Sequence, residues 1–334
     1  MRILCPMLAV LAIALIGLAG GSVSGLRAVF GIAIPYLALG LFVVGLVWRV
    51  VDWARSPVPY RIPTTCGQQR SLPWLRASNL ESPHDTLGVV GRMALEVLAF
   101  RSLFRNSSVE IRGKRLLYRD RKLLWVAAIF FHWSMLVVIL RHSRFFLEPV
   151  PVFVSLLQSL DGFFQIGEPV LFVTTVGFLA GLSYLLVRRV VLPQVRYISL
   201  PSDYFPLFLL IGIGLTGVLM RHFFRTDVAA VKDLTLGLVS LQPVVPDGVS
   251  PLFFAHLLLV SSLFAYFPAS KLMHAGGIFL SPTRNLANDS RARRHVNPWN
   301  HPVPVHSYWE WQQEFKDKLE AAGLPLDPEP SREG

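Results

Sequence analysis

Four histidines stand out by position. His132 lies inside the apolar run Leu123–Leu140, with His142 just beyond it; His256 lies inside the apolar run Gly248–Ser270, with His274 just beyond it. An imidazole is costly in hydrocarbon unless something uses it. Two runs with two histidines each supply four imidazoles, the number that two six-coordinate b-type haems require. His222, at the end of another apolar run, is a fifth candidate, as a ligand in place of His142 or as a quinone-site group. His84, His295, His301 and His306 fall in polar stretches and read as surface residues.

If the two runs cross a membrane in opposite senses, His132 pairs with His274 and His142 with His256. Ten residues rise about 15 Å and eighteen about 27 Å in an α-helix, so irons midway between their ligands differ in height by roughly 21 Å. Two haems stacked that way fit a hydrocarbon core about 30 Å thick. Eighteen residues make five whole turns, which sets His256 and His274 on one face of a continuous helix. Ten residues leave His132 and His142 about 80° apart, a mismatch that an irregular helix end at Arg141-His142 would repair.

The elements that carry these residues are membrane spans. The 334-residue chain is 53% hydrophobic and only 16% charged, against about a quarter charged in soluble domains. Its net charge of +11 sits between the apolar runs, where cytoplasmic loops carry Lys and Arg, so nucleic-acid binding is not expected. The two cysteines, Cys5 and Cys66, form no C-x-x-C motif. That excludes a covalent c-type haem, an iron–sulfur ligand set and a disulfide framework. Cys5 reads as inert core.

Six spans are expected. An extra N-terminal one occupies residues 1–26 and is read as retained rather than cleaved, because its uncharged run exceeds the 7–15 residues of a signal core. A second occupies 27–51. Residues 52–122 form a basic loop with 13 Lys/Arg from Arg55 through Lys122 and an amphipathic helix over Thr86–Phe104 that would lie on the membrane, on a partner or on its own chain. Residues 123–274 hold the four-span dihaem bundle, with Phe145–Leu160 interfacial. Residues 275–334 form a polar tail, in which Ser307–Ala322 reads as a helix with Tyr308, Trp311, Phe315 and Leu319 on one stripe, suited to docking another subunit. The basic loop puts both termini in the cytoplasm. Arg141, Arg144, Arg221 and His222 then gather at the outer end, suited to a quinone or to haem propionates.

The five spans from Ala28 onward resemble the gamma subunit of respiratory nitrate reductase, a dihaem cytochrome b that oxidises quinol. The likeness rests on histidines ten apart on one helix and eighteen apart on the last, and on the segment Phe267-Pro268-Ala269-Ser270-Lys271-Leu272-Met273-His274. The first span, the long loop and the tail are more similar to the cytochrome b subunits of the Dsr membrane complexes of sulfate reducers and sulfur oxidisers. Gly91-Arg92-Met93 through Phe104-Arg105-Asn106, Phe131-His132-Trp133-Ser134, Leu140-Arg141-His142 and Ser281–Trp299 carry that similarity.

This resemblance implies an all-α multi-pass protein of a bacterial or archaeal cytoplasmic membrane. It implies two non-covalent b haems, exchange with menaquinone, a cytoplasmic iron–sulfur partner resembling heterodisulfide reductase, and the other Dsr complex subunits. The rival readings are a transporter or channel relaying protons through histidines and a haem-free membrane anchor. The first would show acidic residues within spans or a repeat between halves, and the sequence has neither.

Overall fold

A computed structural model describes residues 2–56, 78–281, 284–288 and 305–328. Cys66, Pro57, Pro59, Pro63 and Pro73 of the basic loop, and Arg291–Pro304 of the tail with His295 and His301, lie outside the described residues.

Six helical segments are long and apolar enough to cross a membrane: Leu4–Ser22, Ser24–Arg55, Lys122–Phe145, Val173–Val191, Pro201–Phe223 and Pro251–Ala269. Their α-helical parts are α1 (Leu4–Ser22), α2 (Ile34–Arg55), α5 (Lys122–His142), α7 (Val173–Val191), α9 (Pro201–Val218) and α11 (Pro251–Tyr266). The chain is thus a multi-pass membrane protein, and an even number of crossings leaves both termini on one side. Pro201 and Pro251 occupy first helical positions, where a missing N–H has no consequence. Leu37, Val44 and Val47 on α2 and Ile139 on α5 point outward and stay exposed, as lipid-facing side chains must.

Helix α1 is not peripheral. It packs on α11 and α9, and Val10 closes a core cluster with Leu209 and Leu259. The approach is very close: a Cβ at Gly17 would come within 2.7 Å of Ala255 Cα and 2.9 Å of Phe254 O. Small residues allow such contacts between membrane helices. Gly17→Val is therefore expected to force α1 off α11, at a cost of about 1–3 kcal/mol, read as a lowered thermal midpoint in detergent. Cys5 faces out of the bundle rather than into its core.

Going around the bundle, α5 packs on α7, α7 on α9, and α9 on α11, with α2 on α11 as well. Extensive packing of α5 directly on α11 is missing from this arrangement. Short helices cap the end where His142 lies: α6 (Val152–Asp161) in the stretch read as interfacial, and α10 (Val228–Val239), whose Ala230, Val231 and Leu234 join Phe253 and Phe254 in a core cluster.

Four expectations are corrected. The Thr86–Phe104 helix is two, α3 (Thr86–Ala99) and α4 (Arg101–Phe104), broken at Phe100 with φ 49°. An antiparallel hairpin, β1 (Ser107–Arg112) and β2 (Arg115–Asp120), follows where only loop was expected, turning at Gly113 with φ 62°. The last membrane helix does not run on to His274. It ends at Tyr266, 3-10 turns follow at Phe267–Ala269 and Lys271–Met273, and Ser270 between them is extended. The tail helix breaks at Phe315 into α13 (Tyr308–Glu314) and α14 (Lys316–Ala321), while Tyr308 and Trp311 stack at 5.7 Å and stay exposed.

Candidate electron-transfer site

The break after Tyr266 has a consequence for His274. A continuous helix would keep His274 on the α11 axis. Instead Pro268 ends the regular hydrogen bonding, and the turns carry His274 to the first residue of a short helix, α12 (His274–Gly277). Its ring lies opposite His132 of α5, centroids 6.1 Å apart and planes inclined by 81°. Two imidazoles clamping one metal through bonds of about 2 Å each put their centroids roughly 6 Å apart. Phe100 and Phe131 meet the His132 ring edge-on at 5.0 and 4.6 Å.

His142 and His256 are at the other end, close enough for their charges to interact. Helix α5 stays α-helical through His142, so its end is not irregular and the offset of about 80° between His132 and His142 persists.

The ring nitrogens decide what these four can do. His132 Nδ1 is 2.7 Å from Ala128 O, His142 Nδ1 is 2.7 Å from Val138 O, and His274 Nδ1 is 2.7 Å from Lys271 O. A carbonyl only accepts, so each Nδ1 carries the proton and each Nε2 presents a lone pair. His256 reaches the same state differently: its Nδ1 is 2.8 Å from Thr216 Oγ1 on α9. That hydroxyl lies 2.8 and 3.0 Å from the Gly212 and Ile213 carbonyls. With its one proton given to a carbonyl, the oxygen accepts from His256. All four Nε2 atoms are thus prepared as metal ligands, with the second nitrogen anchored as ligating histidines require. Among the described residues no three His, Cys, Asp or Glu gather into a metal-ion cage. The donor set is paired imidazoles, which fits haem iron with both axial positions filled.

Next to His142, the arginines form one assembly. Arg141 Nε is 3.1 Å from Asp161 Oδ2, and both side chains are buried. The angle is too poor for a hydrogen bond, so the contact is ionic. Asp161 accepts from the Thr174 backbone N–H at 2.8 Å and its hydroxyl at 2.6 Å. The Arg141 and Arg221 guanidiniums lie 3.7 and 4.3 Å from the Phe172 ring centroid, a cation–π arrangement. Arg221 donates to Val170 O at 3.1 Å, and Arg144 to Gln158 Oε1 at 2.9 Å. Arg221 and His222 sit in a π-helical turn, Leu219–Phe223, at the end of α9, a feature frequent at functional sites.

Asp161, Phe172 and Thr216 were not singled out from the sequence. Thr216 is forty residues from His256, a separation that no local spacing reveals. Asp161 had a signal, as a carboxylate just past the apolar stretch Phe145–Leu160 read as interfacial.

Comparison with known proteins points the same way. Residues 93–292 match the family described as nitrate reductase gamma subunit. The Hdr-like menaquinol oxidoreductase cytochrome b-like subunit of Archaeoglobus fulgidus is 44% identical over 279 residues, 81% of this chain and 83% of that one. The protein of the same name from Archaeoglobus profundus is 43% identical over 284 residues, 82% of this chain and 84% of that one.

Proposed function

This chain belongs to the nitrate reductase gamma subunit family, and from that premise we propose that it is the dihaem cytochrome b subunit of a menaquinol oxidoreductase complex of the Dsr type. It exchanges electrons between the menaquinone pool and a cytoplasmic iron–sulfur subunit resembling heterodisulfide reductase, in sulfite or sulfate respiration. The name borne by both Archaeoglobus relatives supports the menaquinol and Hdr-like parts of this reading. The stretches similar to the Dsr cytochromes support the rest.

The observation that carries the reading is the set of four imidazoles with every Nδ1 engaged, which leaves each Nε2 with its lone pair for iron. His132 and His274 would hold an inner b haem, and His142 and His256 an outer one. Haem held by these pairs would supply one-electron transfer.

The chain's own residues bind and orient. Arg141, fixed by Asp161 and Phe172, presents positive charge beside His142, and Arg144 and Arg221 add to it. That end suits a quinol headgroup, with His222 near enough to Arg221 to take part in the same site. Protons given up there leave on the outer side, while electrons move inward toward the basic loop and the tail, where the partner docks. Both termini are cytoplasmic.

The test is a dithionite-reduced minus oxidised spectrum of the full chain purified with its lipids, with haem quantitation. Two b haems per chain, reducible by a menaquinol analogue, are expected; a colourless, well-folded protein would overturn the reading.

Thr216 gives a finer check. Its hydroxyl accepts from His256 Nδ1–H and so raises the basicity of that ligand, which favours ferric iron. Thr216→Val is expected to raise the midpoint potential of one haem and leave the other unmoved, with Thr216→Ser restoring it, as read by redox titration of the purified chain.

A further inference from the structure

Helix α3 is inside out. Its sequence sets Leu87, Val90, Ala94, Leu95 and Leu98 along one side and Arg92 and Glu96 along the other. On a water-facing protein surface the apolar side of such a helix is the covered one. Here the charged side is covered: Arg92 and Glu96 are 7% and 4% exposed, whereas Leu87, Val90 and Leu98 are 81%, 59% and 54% exposed. From Leu87 through Leu98, every exposed residue is apolar.

The charged side is satisfied within the chain. Glu96 accepts from the Ser102 backbone N–H at 3.1 Å and from the Ser102 hydroxyl, and it pairs with Arg284 of the tail at 3.1 Å. Arg284 also donates to Ser102 Oγ at 3.1 Å. Asn288 fastens the same stretch of tail to the segment before α3, through its N–H to Pro83 O at 2.6 Å and its amide to Ser82 Oγ at 2.5 Å. The apolar side has no such cover among the described residues.

The height of α3 is fixed by its C-terminus. Phe100 turns into the left-handed conformation and ends the helix, so the last carbonyls lose their helical partners. Two indoles replace them: Trp133 Nε1 donates to Leu98 O at 3.1 Å and Trp125 Nε1 to Ala99 O at 2.7 Å. Carbonyls facing water need no such donors, while carbonyls in hydrocarbon do. Both tryptophans belong to α5, which begins at Lys122. Their midpoint is about 10 Å along that helix at 1.5 Å per residue. The end of α3 therefore lies down the flank of a membrane-crossing helix, level with its early turns rather than above them.

We propose that α3 is sunk into the bilayer leaflet on the side where α5 begins, its apolar stripe against acyl chains and its charged stripe against the protein. The depth of about 10 Å matches that of amphipathic helices lying in the interface. A protein partner is the poorer fit, because protein interfaces carry a polar rim and hydrogen bonds and this stripe has neither. The inference concerns lipid alone and stands whatever redox group the bundle carries, so a colourless protein would leave it intact.

The test uses the full chain in proteoliposomes, with Cys5→Ser and Cys66→Ser, and single cysteines introduced by Leu87→Cys, Val90→Cys or Leu98→Cys. Lys114→Cys, in the hairpin turn, is the water-exposed control. Each carries a nitrobenzoxadiazole fluorophore. Probes at 87, 90 and 98 should lose fluorescence to lipids bearing a nitroxide on the acyl chain and be insensitive to aqueous iodide, with the opposite at 114. Iodide quenching on α3 equal to that at 114 overturns the proposal. So does shielding that appears only after other subunits of the complex are added.

Discussion

A His274→Ala chain is expected to hold one b haem instead of two. His274 stands opposite His132 with centroids 6.1 Å apart, and its Nδ1 is tied to Lys271 O. With no C-x-x-C-H motif in the chain, ligand bonds and packing are all that would retain a haem, so an inner haem without its second imidazole is lost. The substitution is structurally mild, because His274 is an exposed residue beyond the end of α11. Haem per chain should fall by half, with the outer haem retained and still reducible by a menaquinol analogue. Electron delivery from that haem to the opposite membrane face should cease. His256→Ala should remove the other haem, and the double variant both. Two low-spin haems surviving in His274→Ala would move the ligand assignment elsewhere.

The second large effect is expected at Asp161. Its side chain and that of Arg141 are 2% and 11% exposed, so removing the carboxylate strands a buried guanidinium. Breaking one side of a buried pair typically costs about 3–5 kcal/mol. Asp161→Asn keeps the shape and the hydrogen bond from the Thr174 N–H but removes the charge. Its thermal midpoint in detergent should drop clearly. Arg141 should also lose its fixed position over Phe172, raising KM for a menaquinol analogue while both haems stay bound. Arg144→Gln is the comparison: Arg144 meets a neutral partner, Gln158, and its loss should change stability by less than about 1 kcal/mol. Equal melting and equal KM for Asp161→Asn and the parent would show that the ion pair contributes nothing to either.

The spans and their histidines were legible because both signals are local. A run of some twenty uncharged residues announces a crossing, and an imidazole inside it stands out by cost. The arrangement around the histidines was harder to read, since it depends on contacts far apart in sequence. Nothing near His256 points to Thr216. Five turns put His256 and His274 on one face only of an unbroken helix, and Pro268 with Ser270 breaks it.

The hairpin was readable in principle. Ser108, Glu110 and Arg112 alternate with Val109 and Ile111 before Gly113, a period of two that signals a strand, but a reading of the whole stretch as basic loop hid it. Amphipathicity located α3 correctly and left its orientation open. Periodicity says that a helix has two sides; only the surroundings say which side faces what.

The clasp between Gly17 and Ala255 also bears on how the protein is made. Of the six described spans a ribosome releases α1 before the other five and α11 after them, yet these two are mutual neighbours. The earliest segment must wait in the membrane, its glycine surface unoccupied, until nearly the whole polypeptide has been inserted. Contacts so distant along the chain form slowly. Closure of the bundle is therefore a late event, and a nascent chain interrupted before Pro251 lacks both His256 and His274, one member of each proposed ligand pair.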